Sequence, residues 1–174
     1  MAGQTVEGIR EGIAQHWVQA INEIEAPRIV ALVIGHSSKH VARGIAKRAI
    51  TAPFQAEPED MASYFNAADL TVVTSEFEAF GRIAAESEAS GTPVVCFQTG
   101  GLPEIVLDKK TGYVVPKGDT VKLKLAIEKL ASNHELLSRM SIAGIRHARE
   151  NFCDSLIVDR YVEQYRREIL VREQ

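Results

Sequence analysis

The sequence predicts an α/β protein built on a parallel sheet, and three observations carry that prediction. Short continuous apolar runs recur along the chain: RIVALVIG (28–35), LTVVTS (70–75), PVVCFQ (93–98) and GYVVP (112–116). Segments with apolar residues at helical spacing separate them. The runs are apolar throughout rather than alternating, as strands buried on both faces are. The expected architecture is a doubly wound, Rossmann-like parallel sheet with helices on both faces.

Each element has its own reason. Residues 4–24 place Ile9, Ile13, Trp17, Ala20, Ile21 and Ile24 on one helical face, and Pro27 ends the pattern. The run 28–35 closes at Gly35 as a first strand. Residues 38–49 are expected to be helical and 50–54 to form a short strand. EPEDMASYFNAAD (57–69) is a helix with Pro58 and acids in its first turn. After strand 70–75, a helix from about 80 to 90 stops at Gly91. Strand 93–98, a short helix at 102–107 and strand 112–116 follow. Three helices finish the chain: 119–132 capped by Asp119, 134–150, and 154–171 capped by Asp154.

Composition narrows the function. Of 174 residues, 45% are apolar and 25% charged, which excludes intrinsic disorder. A net charge of −3 argues against nucleic-acid binding, which needs a basic face. Cys96 and Cys153 are too few for a disulfide framework. Cys96 lies in an apolar strand and reads as core, and Cys153 has no catalytic pattern around it. Neither a transmembrane run nor a signal-peptide core is visible, so a cytoplasmic domain is expected. With no repeat or linker, residues 1–174 read as one domain. His16, His36, His40, His134 and His147 share no metal-ligand spacing, so no metal site is expected. Ser75 lacks His and Asp partners for a triad, which argues against a hydrolase.

Ligands of such sheets bind at the carboxyl ends of the strands, against helix N-termini. The loops to inspect are 35–38, 75–81, 98–103 and 116–119. Gly35, His36 and Ser37 read either as a nucleotide pocket or as a simple turn. Lys39, Arg43, Lys47 and Arg48 form a basic helix face, read as solvated in preference to a phosphate or peripheral membrane contact. In TSEFEAFGRIAAESEASGTPVV, Glu78 lies in the loop and Glu86 in the helix, with seven residues between them. Free N–H groups from Ala79 to Arg82 suit a phosphate, and Gly81 allows close approach to the backbone. A carboxylate can accept from two neighbouring sugar hydroxyls, so two of them flanking an anion site suit a nucleotide-sugar. The plainer reading is that Glu76, Glu78, Glu86 and Glu88 simply favour a helix dipole. Spacing alone leaves both open.

The motifs resemble the donor-binding pattern of retaining glycosyltransferases of the GT-B fold, especially glycosyltransferase family 4. Ser75, Glu78, Phe80-Gly81, Glu86 and Gly91-Thr92-Pro93-Val94-Val95 occur in the family's order and spacing. TGGLPEIVLDKKTGYVVPKGD and the tail ARENFCDSLIVDRYVEQYRREI are similar to later family segments, so the resemblance runs from about Val33 to Arg167. It implies that Glu78 faces the donor sugar as the catalytic carboxylate and that Glu86 holds the ribose hydroxyls. Ser75, Ala79, Phe80, Gly81 and Arg82 would complete the donor site, with amides from Ala79 to Arg82 along the sugar and diphosphate. Gly100 and Gly101 would form the opposing loop. No metal or other cofactor is implied; the nucleotide-sugar is the substrate.

Enzymes of that family have two such domains. The chain reads as the donor half, truncated at its N-terminal edge and without the acceptor domain. The family's Lys-Gly that grips the diphosphate has no match, since Glu7-Gly8 or Glu11-Gly12 stands in its place. The expected function is transfer from a nucleotide-sugar once an acceptor domain completes the site. The alternatives are a non-catalytic sugar-nucleotide-binding or protein-interaction module derived from the family, and an unrelated sugar-phosphate enzyme. Tyr161, Tyr165 and Ile169 read as the packing face of the last helix, with Val158 and Val162 on the same stripe. Loss of the first strand should leave an unpaired sheet edge, so a homodimer or partner complex is expected.

Overall fold

A computed structural model describes residues 6–25, 29–54 and 57–172. The described residues form thirteen elements, helices and strands alternating from α1 to α6. The first part contains α1 (Val6–Glu23), β1 (Val30–Ile34), α2 (Ser38–Arg43), β2 (Arg48–Ala52) and α3 (Pro58–Ala67). The second contains β3 (Thr71–Val73), α4 (Arg82–Ala89), β4 (Val94–Phe97), α5 (Leu102–Ile105) and β5 (Gly112–Val115). The helices α6 (Thr120–Ala131), α7 (His134–Asn151) and α8 (Asp154–Arg172) end the chain. Pro27 and the side chains of Ile9, Ile13 and the Glu7-Gly8 and Glu11-Gly12 pairs lie outside the described residues.

All strand pairs are parallel, but they form two sheets rather than the single one expected. β1 pairs with β2, and β3–β4–β5 form the other sheet. The physical reason lies in the crossovers. The chain leaves β2 through α3 and returns beside β4, so β1 and β3 each keep one unpaired edge among the described residues. Both strands are only partly buried, whereas β4, flanked on each side, is buried at every position.

Helices cover both faces of β4. Val95 and Phe97 join a core with Ile21 of α1 and Ile24 just after it, Leu123, Ile127 and Leu130 of α6, and Met140 of α7. Val94 and Cys96 point the other way, toward Ala84 and Ala85 of α4 and Leu102 and Ile105 of α5. The fully buried Cys96 is thus core, and burial pushes its thiol up to about 12. Ala31 of β1 belongs to the first core, so packing ties the two sheets together without a ladder between them.

Local chemistry sets the helix ends. Asp119 accepts the Lys122 N–H at 2.9 Å and Asn133 accepts the Leu136 N–H at 2.9 Å, capping α6 and α7. The expected helix 38–49 ends early, at Arg43. Asn22 of α1 donates to the Gly44 carbonyl at 2.8 Å and accepts from the Ala46 N–H at 2.7 Å, which closes the turn. Lys39 and Arg43 therefore lie on α2, Lys47 in a turn and Arg48 on β2, and no single basic helix face forms. On α8, Asp154 is the first helical residue. Tyr161, Tyr165 and Ile169 are 63%, 66% and 57% exposed, so their predicted packing face has no partner among the described residues. No helix among the described residues is long and apolar enough to cross a membrane.

Candidate functional site

The site lies where β3 gives way to α4. After Val73 the chain runs irregularly to Gly81, which takes the left-handed conformation (φ +101°) and caps α4. A Cβ there would sit 2.9 Å from the Leu102 Cδ2 methyl, and the left-handed backbone itself favours glycine. Because Gly81 is the cap, α4 begins at Arg82, later than the sequence suggested. The Ala85 N–H already bonds the Gly81 carbonyl at 3.1 Å, which leaves the free first-turn amides at Arg82, Ile83 and Ala84. Ala79 and Phe80 belong to the loop instead.

That loop packs directly on the loop after β4. The Gly101 N–H donates to the Glu78 carbonyl at 3.2 Å. A Cβ on Gly101 would lie 2.7 Å from the Phe80 oxygen and 2.8 Å from the Ala79 oxygen. Gly100 (φ +51°) has no room for a Cβ because the Glu78 carbonyl occupies that space. The two glycines are therefore demanded by the protein's own loop-to-loop packing, before any ligand is considered.

Of the predicted residues, Ser75, Glu78, Ala79, Phe80 and Gly81 share this loop, and Gly100 and Gly101 oppose it. Glu78 and Glu86 are both partly exposed, and neither is buried beneath the sheet. Arg82 pairs with Glu86, Nε to Oε1, at 3.3 Å across one helical turn. The contact joins the one cation of the set to the second carboxylate beside the free amides of α4.

Two contacts escaped sequence reasoning. Phe152, at the α7–α8 junction, packs edge-on against Phe80 at 5.8 Å and against His147 at 5.3 Å. Lys117 of the β5–α6 loop reaches the Glu78 loop, whereas the sequence marks 116–119 only by its place at a strand's carboxyl end. A cleft of about 460 Å³ opens at the carboxyl ends of β1 and β2, lined by Gly35, His36, Lys39, Thr51 and Phe54 among others. His36 and Phe54 stack there at 5.0 Å. Gly35 and His36 border this cleft from within a turn, where the Ser38 N–H bonds the Gly35 carbonyl at 3.1 Å. No group of three or more His, Cys, Asp or Glu side chains among the described residues could hold a metal ion.

Parallel strands, covering helices on both faces, and paired loops at the strands' carboxyl edge define a Rossmann-like half of the GT-B type. The chain belongs to the family of glycosyl transferases group 1, whose profile matches residues 14–147. It is 41% identical over 91 residues to a D-inositol 3-phosphate glycosyltransferase of Corynebacterium diphtheriae, covering 52% of this chain and 21% of that one. A protein of the same description from Thermobispora bispora is 35% identical over 137 residues, covering 72% and 32%. The crystal structure of Anabaena HepE with UDP and glucose aligns with a TM-score of 0.77 at 21% identity, covering 87% of this chain and 44% of that one. In these two matches the chain spans 21% and 32% of the curated relatives' lengths.

Proposed function

We propose that this chain is the nucleotide-sugar-binding half of a retaining glycosyltransferase, which transfers a sugar when an acceptor domain completes the site. The observation that carries the reading is the closure of the Glu78 loop against Gly100–Gly101 beside the free N-terminus of α4. The diphosphate lies at the amides of Arg82, Ile83 and Ala84, where the helix dipole favours an anion. Arg82 turns from Glu86 toward the phosphates and frees that carboxylate for the ribose hydroxyls. Glu78 meets the donor sugar as the catalytic carboxylate, with Ser75, Ala79, Phe80 and Gly81 lining the approach. The His36–Phe54 cleft offers a flat, half-apolar seat suited to a base.

Positive charge from α4 and Arg82 serves the leaving diphosphate, so the reading needs no bound metal. Stabilising that charge is the main electrostatic task of the transfer. The C. diphtheriae relative is described as acting with D-inositol 3-phosphate, and an acceptor of that polar, phosphorylated kind is the natural first trial here. Two free thiols suit the reducing cytoplasm. The exposed α8 stripe and the open edges of β1 and β3 support a homodimer or a complex with an acceptor-domain chain. Titration of the chain with UDP and UDP-glucose tests the binding reading, and absence of heat at millimolar concentration with other nucleotide-sugars as well would refute it.

A further inference from the structure

The loop between β5 and α6 crosses the carboxyl edge of the sheet and touches the Glu78 loop through one side chain. Lys117 Nζ donates to the Glu76 carbonyl at 3.0 Å and lies 4.7 Å from the centre of the Phe77 ring. The base of this contact is fixed. Gly118 follows in a left-handed turn (φ +78°), and Asp119 is locked as the cap of α6. The far side is less constrained, because residues 74–81 have no regular secondary structure and Phe77 is 83% exposed. Two neighbouring carbonyls of that segment are each held by a donor from a different loop. Glu76 is held by Lys117, and Glu78 by the Gly101 N–H at 3.2 Å.

We infer that Lys117 is a positioning residue: it clamps Glu76 and Phe77 so that the Glu78 carboxylate is presented in one direction. The inference rests on the reading of Glu78 as the sugar-facing carboxylate. A charge-assisted hydrogen bond and a cation–π contact are each modest at an exposed site. Together they suffice to bias a loop between held and free states, and apparent affinity falls with the fraction of loop that is held. The effect should be selective. A nucleoside diphosphate lies along α4 and Glu86, which Lys117 does not touch, whereas an attached sugar depends on Glu78.

The experiment compares the unaltered chain with Lys117→Met and Lys117→Arg, using UDP and UDP-glucose as probes. In the ligand-free proteins, NMR order parameters of the Phe77, Glu78 and Ala79 amides should fall from about 0.85 toward 0.6 in Lys117→Met and recover in Lys117→Arg. Calorimetry should show UDP-glucose binding weakened about three- to tenfold by the methionine, with UDP within about twofold and the arginine restoring the difference. Unchanged order parameters in Lys117→Met overturn the clamp. Equal weakening of both probes overturns the positioning role and leaves only a general structural one. Binding of neither probe by the unaltered chain refutes the sugar part of the inference together with the donor-site reading, while the relaxation data still decide the clamp.

Discussion

Gly100 and Glu78 occupy one space: a side-chain carbon on the glycine would fall within the carbonyl oxygen of the glutamate. The carboxylate loop and the glycine loop therefore behave as a single unit, although 21 residues of sequence lie between those two positions. The Glu78 backbone is thus packed against a residue from the next strand's loop.

The first prediction follows from that overlap. Gly100→Ala must push the loops apart and also strain a left-handed residue, at a cost of about 2–4 kcal/mol. The melting temperature should drop, and UDP-glucose binding should be lost before UDP binding. An alanine variant as stable as the parent would show that the contact is not rigid.

The two carboxylates should separate by ligand. Removing a charged hydrogen-bond acceptor costs about 1.5–3 kcal/mol, or roughly ten- to a hundredfold in affinity. Glu86→Ala should weaken UDP and UDP-glucose alike by that factor. Glu78→Ala should weaken only UDP-glucose. Calorimetry on the two variants checks this, and a reversed pattern would exchange their roles.

Glu88 gives the chain a pH dependence of its own. It is 1% exposed in the seam between α4 and α7, against Gly144, and neither carboxyl oxygen has a hydrogen-bond partner of ordinary length among the described residues. Burial pushes its carboxyl up to about 7, offset in part by the Thr111 hydroxyl. The folded state thus holds a proton that the unfolded chain releases near 4.5. Stability from this group is complete below pH 4.5 and is lost as pH rises to about 7, amounting to about 3 kcal/mol. Glu88→Gln should melt higher than the parent above pH 7, with the gap opening between those two values and constant beyond. Parallel melting curves across that range would show that the carboxyl titrates normally.

The apolar stripe on α8 should drive association. Val158, Tyr161, Tyr165 and Ile169 are 57% to 66% exposed on one helix, more contiguous apolar surface than a solvated helix ordinarily carries. Light scattering should report a mass above 19.1 kDa that rises with concentration, and Tyr165→Glu should return it toward the monomer. A clean monomer at high concentration would contradict this.

Catalysis should be incomplete in the chain alone. Transfer requires donor and acceptor oxygens to be held together, and positioning supplies much of the rate. Purified chain with UDP-glucose and a phosphorylated polyol should yield at most slow hydrolysis. Robust transfer, abolished by Glu78→Ala, would mean that the described residues already hold an acceptor.

The sequence by itself determined the elements and their kind. The run Val94–Phe97 is apolar at every position because both of its faces are covered, and that demand is visible locally. Asp119 announces a helix start for the same reason: its cap on the Lys122 N–H is satisfied within three residues. Spacing also brought Ser75, Glu78, Gly81 and Glu86 to one strand–loop–helix junction. Where a local signal was weak, the boundary moved. Residues 38–49 read as one helix, but Asn22 of a distant segment ends it at Arg43.

Only the tertiary structure decided which segments meet. Whether strands form one ladder or two depends on where a crossover helix returns the chain, and apolar runs are the same in either case. Lys117 lies 41 residues from the carbonyl it holds, and Gly100 is shaped by a backbone oxygen of another loop. Such contacts leave no local pattern, because a lysine's reach and a glycine's missing side chain acquire meaning only from what stands opposite them.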